Sequence, residues 1–254
     1  MNIGIIGLGR LGAALARGLD RFWDKGDIWG CNRDAGKAEA VAALASRLRL
    51  CASSAEVFER CDPVFLWTKP ADALAVLEEN RELVRRADPL VVSCVTHTEF
   101  GRYCARWAET LPNVNLPARE GVTLVWYPPE LKRADRLTLE GVLCAVGNVY
   151  ELPRDEIPYY SALASCGPAL YAVMLEELAD ALAARRGYDG ALCRQLVRET
   201  ARGTVALQEL DRLDARGLVE RVAHPGGSSE AGSQFLREKL PGLFEEMLKK
   251  MGKW

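Results

Sequence analysis

The chain begins by alternating short, solidly apolar runs with longer stretches in which apolar residues recur every three or four positions. The first run, residues 2–6, is rich in isoleucine and reads as a strand buried on both faces. Residues 13–20 (AALARGLD) then place Ala and Leu at helical spacing. The same logic predicts strands at 27–31, 48–52, 63–67 and 90–94. Helices are expected from an Asp34 cap through Ser46, at 53–60 behind a Ser53 cap, and from Pro70 through Val84. Residues 114–116 and 123–126 suggest further strands, and 143–146 (LCAV) the last one. Beyond residue 158 the pattern turns wholly helical. Stretches 159–186 (closed by Gly187), 190–210 and 213–223 precede a glycine-rich interruption, and 230–240 and 241–251 follow it.

Strand–helix alternation that gives way to helices alone predicts an α/β chain in two parts. The first is a doubly wound parallel sheet and the second an all-helical domain. Residues 151–158 (ELPRDEIP) carry two prolines and four charges and mark the border, dividing the chain at 1–152 and 153–254. Several late helices are apolar over more than one face, which predicts burial against a second subunit. Composition adds mostly exclusions. A net charge of −2 gives no electrostatic footprint for nucleic acid or an anionic membrane. No leader is expected ahead of the first strand, and no apolar run reads as long enough to span a bilayer. The eight cysteines show no C-x-x-C pair and no metal-ligand spacing, as expected of reduced thiols in a cytoplasmic protein.

Candidate chemistry starts at residues 1–12, MNIGIIGLGRLG. Strand runs into Gly7-Leu8-Gly9-Arg10-Leu11-Gly12, a complete G-x-G-x-x-G, and then into helix. Gly7 permits the tight turn, Gly9 lets backbone approach a pyrophosphate, and Gly12 lets the helix pack closely. The helix start offers free N–H groups and a positive dipole end to phosphate. About twenty residues on, where an NAD site usually carries an acid, stand Asn32 and Arg33. Arg33 suits a 2′-phosphate, so NADPH is expected over NADH. Ligands of open parallel sheets gather beyond the strands' carboxyl ends, which adds Thr68, Lys69, Pro70, Ser93 and Cys94 to the cofactor set.

With those segments placed, the sequence resembles the pyrroline-5-carboxylate reductase family over nearly its whole length. The glycine loop and NRD match the family's cofactor pattern, and FLWTKPADALAVLEE is similar to its "FLAVKP" segment. LASCGPALYAVMLEELADA resembles "LSGSGPAY…EALADA", and HPGGSSEAG resembles "SPGGTTIAG". The resemblance implies a Rossmann-type domain followed by a helical dimerisation domain. It also implies reduction of a carboxylate-bearing cyclic imine by NAD(P)H, giving proline when the imine is 1-pyrroline-5-carboxylate. Gly226, Gly227, Ser228 and Ser229, with Ser165 and Cys166, then fall at substrate-binding positions, Ser229 also at the catalytic one. Departures surround the same site. "SIAAGI" becomes residues 93–98 with His97 in place of glycine, "RAMPNTPA" is matched to residues 114–118 without its Arg or Asn-Thr pair, and His224 replaces Ser. His97 and His224 are the only histidines, and an imidazole there is suited to protonating an imine nitrogen. Two other functions remain open: a paralogue that keeps fold and cofactor for a regulatory or binding role, and a β-hydroxyacid dehydrogenase. The latter needs a lysine in the long helix, and 167–185 has none.

Overall fold

The computed structural model describes residues 1–94 and 100–252. Its strands are β1 (Ile3–Ile6), β2 (Ile28–Cys31), β3 (Leu48–Leu50), β4 (Val64–Leu66), β5 (Val91–Ser93), β6 (Trp107–Pro112), β7 (Gly121–Trp126) and β8 (Gly147–Glu151). They form one sheet in the order β3-β2-β1-β4-β5-β6-β7-β8. All neighbours are parallel except β6 and β7. The order reverses between β1 and β4, and that switch point is where an open α/β sheet leaves a crevice for ligands.

Strand alternation splits the core in two. Ile3, Ile5, Phe65 and Val92 point into one apolar cluster, shared with Leu15 and Leu19 of α1 (Arg10–Phe22). Ile6, Val64, Leu66 and Val91 point into another, shared with Val57 and Phe58 of α3 (Ser54–Arg60) and with Leu77 of α4 (Pro70–Glu79). The short helix α2 (Ala35–Ala42) begins behind Asp34, whose side chain accepts from the Lys37 N–H, and ends four residues earlier than Ser46.

The chain forms two compact units, Met1–Pro168 and Ala169–Trp254. In the first, α5 (Arg81–Ala87) follows α4 after a break at Asn80. The predicted continuous helix fails there because the buried Asn80 side chain donates to Val76 O (2.7 Å) and Ser54 Oγ (3.0 Å). No strand forms at 114–116: Leu116–Ala118 is a single 3-10 turn containing Pro117, and the strand lies earlier, as β6. Residues 143–146 are likewise no strand. They finish α6 (Arg133–Leu143) and its turn, and the last strand is the largely exposed β8, whose polar residues give little apolar signal.

The predicted helix 159–186 is two, α7 (Ile157–Ala164) and α8 (Gly167–Arg186), with a turn at Ser165-Cys166. Taken across both helices, Ile157–Arg185 is long and apolar enough by length and composition to cross a membrane, contrary to the expectation for apolar runs; 22% of its apolar 18-residue window is buried. α9 (Gly190–Asp211), α10 (Ala215–Val222) and α11 (Ser228–Lys250) complete the second unit. α11 runs straight through Pro241, where two helices were expected. The proline forfeits one ladder hydrogen bond without ending the helix.

Candidate functional site

The three glycines of the first loop meet three different constraints. Gly7 sits at φ +99°, and a Cβ there would lie 2.6 Å from both Thr68 Cγ2 and Trp67 O. Gly12 faces the loop itself, where a Cβ would come within 2.0 Å of the Gly7 carbonyl oxygen. Gly9 faces open space, with no atom within 4 Å of a Cβ. One glycine therefore makes the turn, one seats the helix, and the middle one leaves backbone accessible to a ligand. Gly9 is also the N-cap of α1, which starts with no side-chain cap and no acid in its first turn. Its first N–H groups thus point outward without competition from a carboxylate. Arg10 is exposed at this helix start, Leu8 is buried beneath the loop, and Leu11 is half-buried.

Neighbouring strand ends lock this loop in place. Gly7 N–H donates to Cys31 O (3.0 Å), and Trp67 N–H to Ile6 O (2.9 Å). The Asn32 side chain spans the gap between loops: Oδ1 accepts from Leu8 N–H, and Nδ2 donates to Asp34 O, both at 3.1 Å. Arg33 is exposed, yet not free. Its guanidinium forms a two-point ion pair with Asp72 in the first turn of α4, both contacts at 3.0 Å. Asp34 is engaged by Lys37, whose backbone N–H holds its carboxyl below the ordinary carboxylate range.

Thr68, Lys69 and Pro70 follow β4 on the same edge of the sheet, with Lys69 and Pro70 exposed. Cys94 follows β5; burial pushes its thiol up to about 11, and it faces Thr68 O at 3.9 Å. Ser93 is wholly buried, and its carbonyl accepts from Thr110 Oγ1 at 2.8 Å. His97, with the rest of residues 95–99, lies outside the described residues.

A second group lies beyond β6. Asn113 is buried; its Nδ2 donates to Ala164 O (3.1 Å), and its Oδ1 accepts from Asn115 N–H and Val122 N–H. That bond ties the Ser165-Cys166 turn to the end of β6. Sequence reasoning missed Asn113, although Pro112-Asn113 repeats the Pro-Asn of the family pattern. Counted back from Pro112, Glu109 stands where that pattern carries Arg. Glu109 is fully buried and paired with Arg154 through Nε–Oε2 (3.0 Å) and a second, shorter Nη2–Oε1 contact. The Arg154 guanidinium lies 4.6 Å from the Trp126 ring centroid and 5.7 Å from that of Trp107.

In the second unit, His224, Gly226, Ser228 and Ser229 are exposed around the start of α11. A glycine pair at a helix start is expected to offer bare amides to a carboxylate, and the geometry corrects this at both glycines. Gly226 N–H donates to Glu230 Oε2 (2.8 Å) and Gly227 N–H to His224 O (2.9 Å). A Cβ on Gly227 would meet the His224 imidazole at 2.8 Å. The hydroxyls of Ser228 and Ser229 do not cap the helix.

Two family models match. Residues 154–253 match the model described as pyrroline-5-carboxylate reductase dimerisation, and residues 2–97 the model described as NADP oxidoreductase, coenzyme F420-dependent. The pyrroline-5-carboxylate reductase of Treponema pallidum is 26% identical over 251 residues, covering 94% of either chain. Among solved structures, a pyrroline-5-carboxylate reductase from Coxiella burnetii superposes with TM-score 0.85 at 23% identity, covering 98% of this chain and 95% of that one. The NADP-bound pyrroline carboxylate reductase of Plasmodium falciparum gives TM-score 0.82 at 20% identity, covering 98% and 93%.

Proposed function

The chain belongs to the pyrroline-5-carboxylate reductase family as a divergent member, and from that premise we propose that it reduces a carboxylate-bearing cyclic imine with NAD(P)H. The observation that carries the cofactor half is the contrast at the glycine loop: backbone open at Gly9, closed at Gly12, and an uncapped helix start behind it. These features fit a pyrophosphate, with Gly7, Leu8, Gly9, Arg10 and Leu11 around it, and Thr68, Lys69, Pro70, Ser93 and Cys94 on the nicotinamide side. Arg33 favours the 2′-phosphate, hence NADPH over NADH. When bound, the reduced nicotinamide supplies the hydride that goes to the imine carbon.

The chain's own tasks are to position, protonate and exclude water. Ser229, with Ser228, offers hydroxyls to the substrate carboxylate. Ser165 and Cys166 are the further substrate-binding residues of this reading, and His97 or His224 supplies the proton to nitrogen. The helical domain assembles at least a homodimer through its apolar faces, with the border at 152/153. A cytoplasmic enzyme without nucleic-acid or membrane partners completes the proposal.

Turnover of NADPH and NADH against five- and six-membered cyclic imino acids tests it. Ser229→Ala is expected to lower kcat/KM while leaving NADPH affinity unchanged. NADPH binding with no reduction of any imine across the pH range would favour the second reading, a binding or regulatory paralogue. The Glu230 carboxylate on Gly226 N–H, and Glu109 in place of Arg, are the observations that favour that alternative.

A further inference from the structure

The cofactor site carries a carboxylate that its local sequence does not announce. The β2 turn lacks the usual acid, and Asp34 faces Lys37 and its own helix start. The anion arrives instead from α4, 39 residues beyond Arg33. Pro70 opens that helix, and Asp72 sits in its first turn, where the helix dipole favours a negative charge. Its side chain is only 28% exposed, against 85% for Arg33, so the carboxylate is the enclosed partner and the guanidinium the one reachable from solvent. Meanwhile the backbone under Arg33 is fixed, because Asn32 bonds both the glycine loop and the Asp34 carbonyl. Arg33 therefore has one firm end and one end docked by two contacts across the mouth between the β2 and β4 loops.

We infer that Asp72 is a specificity-determining residue of the cofactor site: it competes with the 2′-phosphate of NADPH for Arg33. This rests on reading the glycine loop as an NADP(H) site. A phosphate monoester brings up to two charges and three acceptor oxygens, against one charge and two oxygens for Asp72. It wins the guanidinium, but only after an ion pair is broken and with a carboxylate left nearby. NADH, lacking the phosphate, leaves the pair intact. Asp72 thus lowers selectivity for NADPH below what Arg33 alone would give.

The test measures dissociation constants of NADPH and NADH, and of the fragments 2′,5′-ADP and 5′-AMP, for the full-length chain. Wild type, Asp72→Asn, Arg33→Ala and the double variant complete a cycle. Asp72→Asn is expected to tighten NADPH and 2′,5′-ADP about three- to tenfold, leaving NADH and 5′-AMP within about twofold. In the Arg33→Ala background that gain should vanish. Asp72→Ser, which retains a polar first-turn residue, guards against a folding artefact. Unchanged or weakened NADPH binding in both Asp72 variants overturns the inference, as does a gain that survives without Arg33. A matching loss of NADH affinity overturns it too, by showing that Asp72 holds the ribose instead. If wild type binds none of the four ligands, the cofactor reading itself falls; every other outcome bears on Asp72 alone.

Discussion

The two units use apolar residues in opposite ways. In Met1–Pro168 they meet each other across both faces of the sheet, and Ile3, Ile5, Leu15, Phe58 and Phe65 are almost wholly removed from solvent. Among the described residues of Ala169–Trp254 the buried hydrophobics are Ala179 and Cys193, while Tyr171 (55%), Leu178 (62%) and Leu182 (56%) of α8 stand exposed. Tyr171, Met174, Leu178 and Leu182 recur at spacings of three and four, which lines them along one stripe of the helix. The first unit satisfies its own apolar faces. The second has folded helices whose stripe awaits a cover, as the dimerisation description of its matching family model suggests.

The largest expected effect breaks that contrast from the second unit. Leu178→Glu puts a charge in the stripe and is expected to weaken self-association on the order of a thousandfold, since an unpaired carboxylate costs several kcal/mol to bury. Light scattering across micromolar concentrations decides it. A monomeric wild type, or a variant as dimeric as wild type, would remove the reason for the stripe. In the first unit, Arg154→Ala leaves the buried Glu109 without its guanidinium. A loss of about 3–5 kcal/mol in denaturant unfolding is expected; a loss under about 1 kcal/mol would mean that Glu109 is relieved by other groups.

The smallest effect on stability separates two neighbours. Gly12→Ala forces a Cβ against the Gly7 carbonyl and should cost about 1–3 kcal/mol. Gly9→Ala has room and should melt within about 0.5 kcal/mol of wild type, while weakening NADPH at least about tenfold. Equal melting losses, or unaffected binding in Gly9→Ala, would contradict the separate roles given to these glycines.

Local chemistry explains which features the sequence made legible. The glycine loop could be read because each role depends on residues within one strand–turn–helix. The caps at Ser53 and Asp34 could be read because a cap bonds three residues ahead. Asp72 could not, since an acid in a first helical turn has an adequate local explanation and its partner lies on another element. Strand β8 gives no signal because an exposed edge needs no apolar alternation, and β6 gives none because the buried Glu109 and Thr110 interrupt its apolar run. The breaks at Asn80 and at Ser165-Cys166 arise where a side chain or turn diverts backbone bonding, and hydrophobic spacing is blind to that. The occupied Gly226 amide has the same origin: Glu230 reads as an ordinary helix-start acid until its carboxylate is seen reaching back.

The division of the sheet into two clusters has a consequence for how such a chain can drift through sequence space. Ile5 and Ile6 are consecutive, yet they belong to separate packing problems on opposite sides of the backbone. A change of volume at Ile5 can be compensated by Leu15 or Phe65, which share its side, and not by Val64 or Leu66, which lie across the sheet. Substitutions on the two sides are therefore expected to couple within a side and to add nearly independently across the sheet. The glycine loop follows β1 where both packing faces end, so neither side can repack around it.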